Sequence, residues 1–283
     1  MTGAPHCIKL QERAIGLERS MKYISGALGG VAICGLAATN AFAQSAEELA
    51  KQLSNPIASL ISLPFQLNYD EGFGADGSGK KTVLNVQPVI PFSIGENWNL
   101  ISRTIVPLSY GDGLVPGETE FGVGNVLQSL FFSPKAPTRG GWIWGAGPVI
   151  QFPTSTDDQF GEDQWAIGPT AVALKQTGPW TYGALANHLW DVSGDTEINN
   201  TFLQPFLSYT TKKAVSFTVN TEAVYNWDES QWTVPINFLI GKVLTIGDQP
   251  VQITGGVRYW AESPENGPDD FGARLIVTYL FPK

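Results

Sequence analysis

Residues 44–283 offer few side chains able to make or break bonds. One histidine, His188, stands in Ala186-Asn187-His188-Leu189-Trp190. With Asp191 or Ser193 it has the residue types of a hydrolytic site. An offset of five puts His188 and Ser193 on opposite faces of a strand, which favours an interfacial histidine beside Trp190. Both cysteines, Cys7 and Cys34, precede residue 44, so no thiolate metal site, cysteine nucleophile or disulfide framework is available after it. The GxG at 145–147 lacks the strand–turn–helix context of a phosphate loop. No catalytic residue, metal ligand set or cofactor is assigned.

The polar residues are more informative, because they recur at spacing two. Arg103, Arg258, Arg274, Glu222, Asn220, Gln252, Asn99 and Gln87 are the candidates for lining an interior, with Gln66, Asn68, Asn85 and Asn237 in the same phase. Three arginines and one glutamate inside a barrel suit a pore that prefers anions. The same four side chains could instead pair and close the lumen, since an unpaired buried charge is costly. Both outcomes stay open at this level.

The elements that must hold these residues are strands. From Leu63 to the end, apolar and polar residues alternate. Phe65, Leu67 and Tyr69 oppose Gln66 and Asn68; Phe217 and Val219 oppose Ser216, Thr218 and Asn220. Segments of roughly ten residues with this alternation are the signature of a membrane-spanning barrel. Twelve can be counted, starting near 62, 81, 97, 120, 141, 164, 179, 200, 214, 231, 250 and 270. An even number returns the chain to its starting side. Outward aromatics at segment ends (Trp98, Tyr110, Tyr225, Trp227, Tyr259, Trp260, Tyr279, Phe281) suit the two membrane interfaces. The faces of 141–153 and 164–175 cannot be assigned from composition, and prolines such as Pro88, Pro148, Pro169 and Pro235 point to bulges or bends. Alternate connections are long and acidic (154–163, 192–199, 261–270), the others short and basic. This predicts long loops outside and short turns with both termini in the periplasm. The expected fold is all-β: an up-and-down antiparallel transmembrane barrel of about twelve strands over 62–283.

Before the barrel, 44–61 reads as a short helical lead-in, placed on the periplasmic side or as a partial plug. Residues 1–43 read as an upstream extension and a signal peptide. Lys22 is the basic start, Ile24–Ala38 the apolar run, and Ala41-Phe42-Ala43 the cleavage site, with cleavage after Ala43. The net charge is −9, and residues 1–43 hold four basic residues against two acids, so the remainder carries about −11. That excludes nucleic acid as a partner, whose binding needs lysine and arginine. Charged residues make up only 15% of the chain and aromatics 11%. Much of the surface therefore faces something other than water.

Stretches including LAKQLSNPIASLISLPFQLNYD (49–70), NVQPVIPFSIGENWNLISRTIVPL (85–108) and GPTAVALKQTGPWTYGALANHLWDVSG (168–194) resemble a family of bacterial envelope proteins labelled "transporter" or, misleadingly, "neuromedin U". That family is similar to the outer-membrane barrels named for a MetA pathway of phenol degradation. The resemblance covers nearly all of 46–283 and supplies no site residues. One departure is the C-terminus, where Pro282-Lys283 follow Phe281 instead of the chain ending on an aromatic. The resemblance implies an outer-membrane barrel, and the partners expected of such a barrel are the lipid bilayer, lipopolysaccharide and the barrel-assembly machinery. The resemblance also implies a transport role, which with the polar interior reads as a porin-like passive transporter or channel for small solutes, hydrophobic or anionic. The alternatives are a lipid-modifying enzyme built on His188, and a structural or surface-contact barrel whose acidic loops bind cations.

Overall fold

The computed structural model describes residues 45–193 and 197–282. The expected signal peptide and its cleavage site lie outside them. The described chain begins with helix α1, Ala46–Leu53. Ser45 caps it by accepting from the Glu48 backbone N–H at 3.2 Å, and Glu47 pairs with Lys51 one turn on at 3.4 Å. Pro56 prevents continuation, and Asn55 Oδ1 accepts from the Ile57 N–H at 3.0 Å. That turn aims Ile57 into the barrel.

The strands are β1 Ile61–Phe73, β2 Gly79–Val86, β3 Val89–Ile94, β4 Trp98–Asp112, β5 Thr119–Val123, β6 Val126–Pro134, β7 Trp142–Phe152 and β8 Trp165–Thr177. They continue with β9 Trp180–Ser193, β10 Asn199–Thr210, β11 Val215–Thr221, β12 Ala223–Asn226, β13 Gln231–Ile246, β14 Gln249–Glu262 and β15 Phe271–Phe281. Three pairs are single strands with a local break: β2/β3 and β5/β6 each run along β4, and β11/β12 runs along both β10 and β13. The result is twelve antiparallel staves in sequence order. β1 and β15 close the ring, in register from Ile61↔Phe281 to Tyr69↔Ala273. Each stave starts within two residues of the position expected from alternation. Closure matters because a lipid-facing sheet edge would leave backbone groups unsatisfied.

The wall is polar inside and apolar outside, the reverse of a soluble core. Asn237 is fully enclosed while Phe238, the next residue, is 50% exposed; Arg274 is 3% exposed and Leu275 47%. Period two produces this, since neighbouring side chains on a strand point to opposite faces. So large a continuous apolar exterior needs lipid against it. Two aromatic belts bound it. On one rim Trp98 packs edge-on against Trp144, Trp142 against Tyr182, and Trp180 against Tyr209. On the other Phe152 meets Trp165, Tyr225 meets Trp227 and Trp232, and Tyr259 meets Phe271. The described helix is too short to cross a membrane, so the strands do the crossing.

Trp260 corrects the sequence reading, which placed it outside with Tyr259. Consecutive strand residues cannot share a face, and Trp260 turns inward, where its indole N–H donates to Asp70 Oδ1 at 3.0 Å. The prolines fall where the ladder tolerates them. Pro88 lies in the β2/β3 break, Pro235 at a register shift in β13, and Pro148 opposite Pro169, where two missing N–H groups face one another.

The two rims differ. Connections 95–97, 178–179, 211–214 and 247–248 are tight, Gly247 supplying the φ of +62° that the last turn requires. α1 and both ends of the described chain lie at this rim. Connections 153–164 and 263–270 at the opposite rim are long.

Candidate functional site

The candidate site is the polar lumen, which is closed at three levels. At the short-turn rim α1 and the lead-in enter the barrel. Leu49, Ala50, Ala58 and Leu60 pack with Ala214, Val243 and Leu280, while Ile57 packs with Ile101, Phe131, Val172, Leu174 and Leu185 from four different staves. Polar contacts fix the segment. Asn99 Nδ2 donates to Ser59 Oγ at 2.9 Å, Gln176 Nε2 to the Lys51 carbonyl at 2.9 Å, and Ser54 Oγ to Ser208 Oγ at 3.2 Å.

The second level is a charged belt. Glu222 sits in the break between β11 and β12. Its two oxygens take Arg274 Nη1 at 2.9 Å and Nη2 at 2.6 Å, from a stave three strands further round the barrel, with β13 and β14 between. Arg274 Nε donates to Asn68 Oδ1 at 2.7 Å. Arg258 Nη1 donates to Asp70 Oδ2 at 2.8 Å, and its guanidinium lies over the Trp260 ring at 4.7 Å. Arg103 Nη2 donates to Gln87 Oε1 at 3.1 Å. Asn237 Nδ2 donates to Asn220 Oδ1 at 2.8 Å. Charge-assisted bonds of this kind compensate the cost of taking charge out of water.

Three of the four charged candidates therefore do not stand as a ring of free charges. Arg274 and Glu222 pair, Arg258 is taken by Asp70, and Arg103 faces only an amide. Asp70 was missed, although it continues the phase of Gln66 and Asn68 by one step; its place beside the bulge at Glu71-Gly72 obscured it. Trp260 and Gln204, whose Nε2 lies 3.5 Å from Glu222 Oε1, were missed as well.

Beside the belt lie cavities, two of which share Gln66, Gln87, Arg103 and Gln204 in their linings. Above the belt, toward the long loops, is a cavity of about 370 Å³ whose lining includes Arg103, Gln87, Asn85, Asn200, Gln204 and Glu222. Below it, around the lead-in, are cavities of about 220 and 190 Å³, both bordered by Gln252, Gln204 and Pro56. Of the eight candidates, Arg103, Gln87 and Glu222 meet at the upper chamber, and Arg103 and Gln87 border the 220 Å³ cavity as well. Gln252 and Asn220 border a lower one. Asn99 instead holds the lead-in.

The third level is the loop 153–164. It was expected, over 154–163, as a long acidic loop on the outer side; it is long, and it folds over the mouth. Asn125, in the β5/β6 break, clamps it: Nδ2 donates to the Glu162 carbonyl at 2.7 Å and Oδ1 accepts from the Ser155 N–H at 3.1 Å. Lys81 Nζ donates to the Gln159 carbonyl at 3.3 Å and lies 5.3 Å from the Phe160 ring centre. Gly122 and Gly124 make room, since a Cβ on Gly122 would come within 2.8 Å of the Phe160 ring and one on Gly124 within 2.9 Å of its carbonyl. Burial, and then the nearby charge of Glu229, push the Glu162 carboxyl above its ordinary range.

His188 lies outside the lumen, on the lipid face. Its Nδ1 is 2.7 Å from Thr201 Oγ1, and its ring packs 4.1 Å from Trp190. Trp227 Nε1 donates to the same Thr201 oxygen at 2.8 Å, and His188 Nε2 is enclosed without a partner among the described residues. Neither Asp191 nor Ser193 is hydrogen-bonded to it among the described residues; Asp191 Oδ1 instead accepts from the Ile198 N–H.

These features define an outer-membrane β-barrel. The chain matches no protein-family model and no curated protein. It is similar in fold to an outer-membrane channel from Pseudomonas putida F1, with a TM-score of 0.62 at 15% identity, over 78% of this chain and 94% of that one. A weaker likeness, TM-score 0.46 at 12% identity, is to outer membrane phospholipase A from Escherichia coli, over 79% of this chain and 99% of that one. The first likeness supports the outer-membrane barrel fold, and the second is too distant to carry an argument.

Proposed function

We propose that the chain is a gated outer-membrane channel for small solutes and that this arrangement is its closed form. The supporting observation is the lumen itself. Polar chambers of about 370, 220 and 190 Å³ lie beside the charged belt, room that an interior packed with side chains, as in barrels of about eight strands, would not leave. What interrupts them is a lead-in, a side-chain belt and a folded loop, each able to move without breaking the wall. The family resemblance to barrels labelled as transporters, and the channel named in the Pseudomonas putida structure, agree with this reading. In this orientation the short-turn rim, with α1, faces the periplasm, and the barrel-assembly machinery and lipopolysaccharide are the expected partners in the membrane. The solutes are small and hydrophobic or anionic.

Planar-bilayer conductance of residues 44–283, compared with a variant lacking 45–60, tests the proposal. Low or flickering conductance that rises steadily in the deletion variant is expected. A variant that still folds as a barrel and stays non-conducting overturns it.

A further inference from the structure

We propose that the 370 Å³ chamber binds a small monocarboxylate with an apolar body, with Arg103 as the anion partner. This rests on the channel reading, for which it names a solute class. The volume lies at the lower end of the range for small-molecule sites.

The argument turns on which charges are already taken. In the belt, Asp70 accepts from Arg258 and Trp260. Both oxygens of Glu222 accept from Arg274. Arg103 faces this belt with no carboxylate within ion-pair distance among the described residues, and its hydrogen bond goes to a neutral amide, Gln87. Its other N–H groups are without a protein partner among the described residues. A guanidinium held this way, at a low-dielectric wall, is a fork for a carboxylate, which it can hold through two parallel hydrogen bonds.

The rest of the lining sets the body of the ligand. Ile105, Leu127, Leu189, Phe202 and Val224 contribute apolar surface to the same chamber. Such a wall favours an aromatic or branched aliphatic group over a small hydrophilic anion. Asn200 Oδ1 is enclosed and unpartnered, which offers an acceptor to a ligand hydroxyl. Arg103 is the one cationic side chain in this lining, so one carboxylate is matched and a second would be enclosed without a cation.

The test is titration calorimetry on the whole mature chain in detergent, with benzoate as the probe. Benzamide is the neutral isostere and acetate the anion without a body. Benzoate is expected to bind at least about ten-fold more tightly than either, and Arg103→Gln to weaken benzoate by at least about ten-fold while leaving benzamide unchanged. Arg103→Lys should fall between. Phe202→Ala should weaken benzoate and not acetate, which gives a second reading if the arginine variant fails to fold, as judged by heat-modifiable mobility. Equal affinity for benzoate and benzamide, an unchanged Arg103→Gln, or no benzoate binding overturns the inference. Conductance measured in parallel separates the two proposals. A conducting barrel without benzoate binding removes only this site. A folded barrel lacking 45–60 that stays non-conducting, beside Arg103-dependent binding in the whole chain, removes only the channel.

Discussion

Glu222 and Arg274 meet across the lumen with both guanidinium nitrogens on both carboxylate oxygens, at 2.9 and 2.6 Å, although two staves separate their strands. Arg274 is 3% exposed, so the pair is held largely away from bulk water. It is a brace between distant parts of the wall as much as an obstacle to flow.

Removing one partner of such a pair leaves the other buried and uncompensated. Glu222→Gln is expected to destabilise the barrel by about 3–5 kcal/mol. Urea titration of detergent-refolded protein measures this. The double variant Glu222→Gln/Arg274→Gln should recover most of the loss, because no bare charge remains. In an open lumen, Glu222→Gln should also shift ion selectivity toward anions, read from the reversal potential in a salt gradient.

One anchor of the lead-in is Ile57, which is buried in one cluster with Ile101, Phe131, Val172, Leu174 and Leu185. Ile57→Asp would place a carboxylate among them without a cation. The plug is expected to leave, since its release avoids a cost of several kcal/mol. Limited trypsinolysis checks this: Lys51, protected by the packing of α1, should be cut much faster in the variant, with the barrel core left intact.

The wall was legible in the sequence because period two governs every stave. The start of β13 falls where Trp232 begins to alternate with Thr233, and the 215–226 segment shows Asn220 and Glu222 in one phase despite its break. The polar phase of Arg103, Arg258 and Arg274 could be read in the same way. Their partners could not. Asp70 joins Arg258 across an intervening strand, and Glu222 reaches Arg274 across two, distances that depend on barrel curvature and stagger and leave no mark in local spacing. Strands 141–153 and 164–175 hid their faces because glycine, alanine and proline carry too little contrast. The inward fold of 153–164 was hidden because its acidic composition suggests solvent, while what holds it is Asn125 and the space above Gly122 and Gly124.

That loop yields a pH dependence. Burial, followed by the charge of Glu229, raises the Glu162 carboxyl, so the docked loop binds a proton more readily than a released one. For an acid raised in this way, docking strengthens as pH falls through the window between the raised value and the ordinary glutamate value, and weakens above it. Conductance is expected to decrease from pH 7 to about pH 4 and to lose that dependence in Glu162→Gln. Gly122→Val should act in the opposite sense at every pH. Its side chain would occupy the Phe160 position and displace the loop, raising conductance and exposing 153–164 to proteases.

The final prediction concerns His188. A hydrolytic site would need a hydroxyl free to attack and a base oriented by a third group. Here the neighbouring hydroxyl, Thr201, already accepts from Trp227 Nε1, and His188 Nε2 has no hydrogen-bond partner among the described residues. The ring instead ties β9 to β10 at the aromatic belt, where Trp190 packs on it. Purified protein in vesicles is expected to release no fatty acid from phospholipid. His188→Ala is expected to lose about 0.5–1.5 kcal/mol of stability, the worth of one hydrogen bond, with conductance unchanged. Fatty-acid release by the unmodified chain that disappears in His188→Ala would establish the enzyme instead. Measuring release and conductance on the same vesicle preparations decides between the two with no dependence on how well the variant inserts.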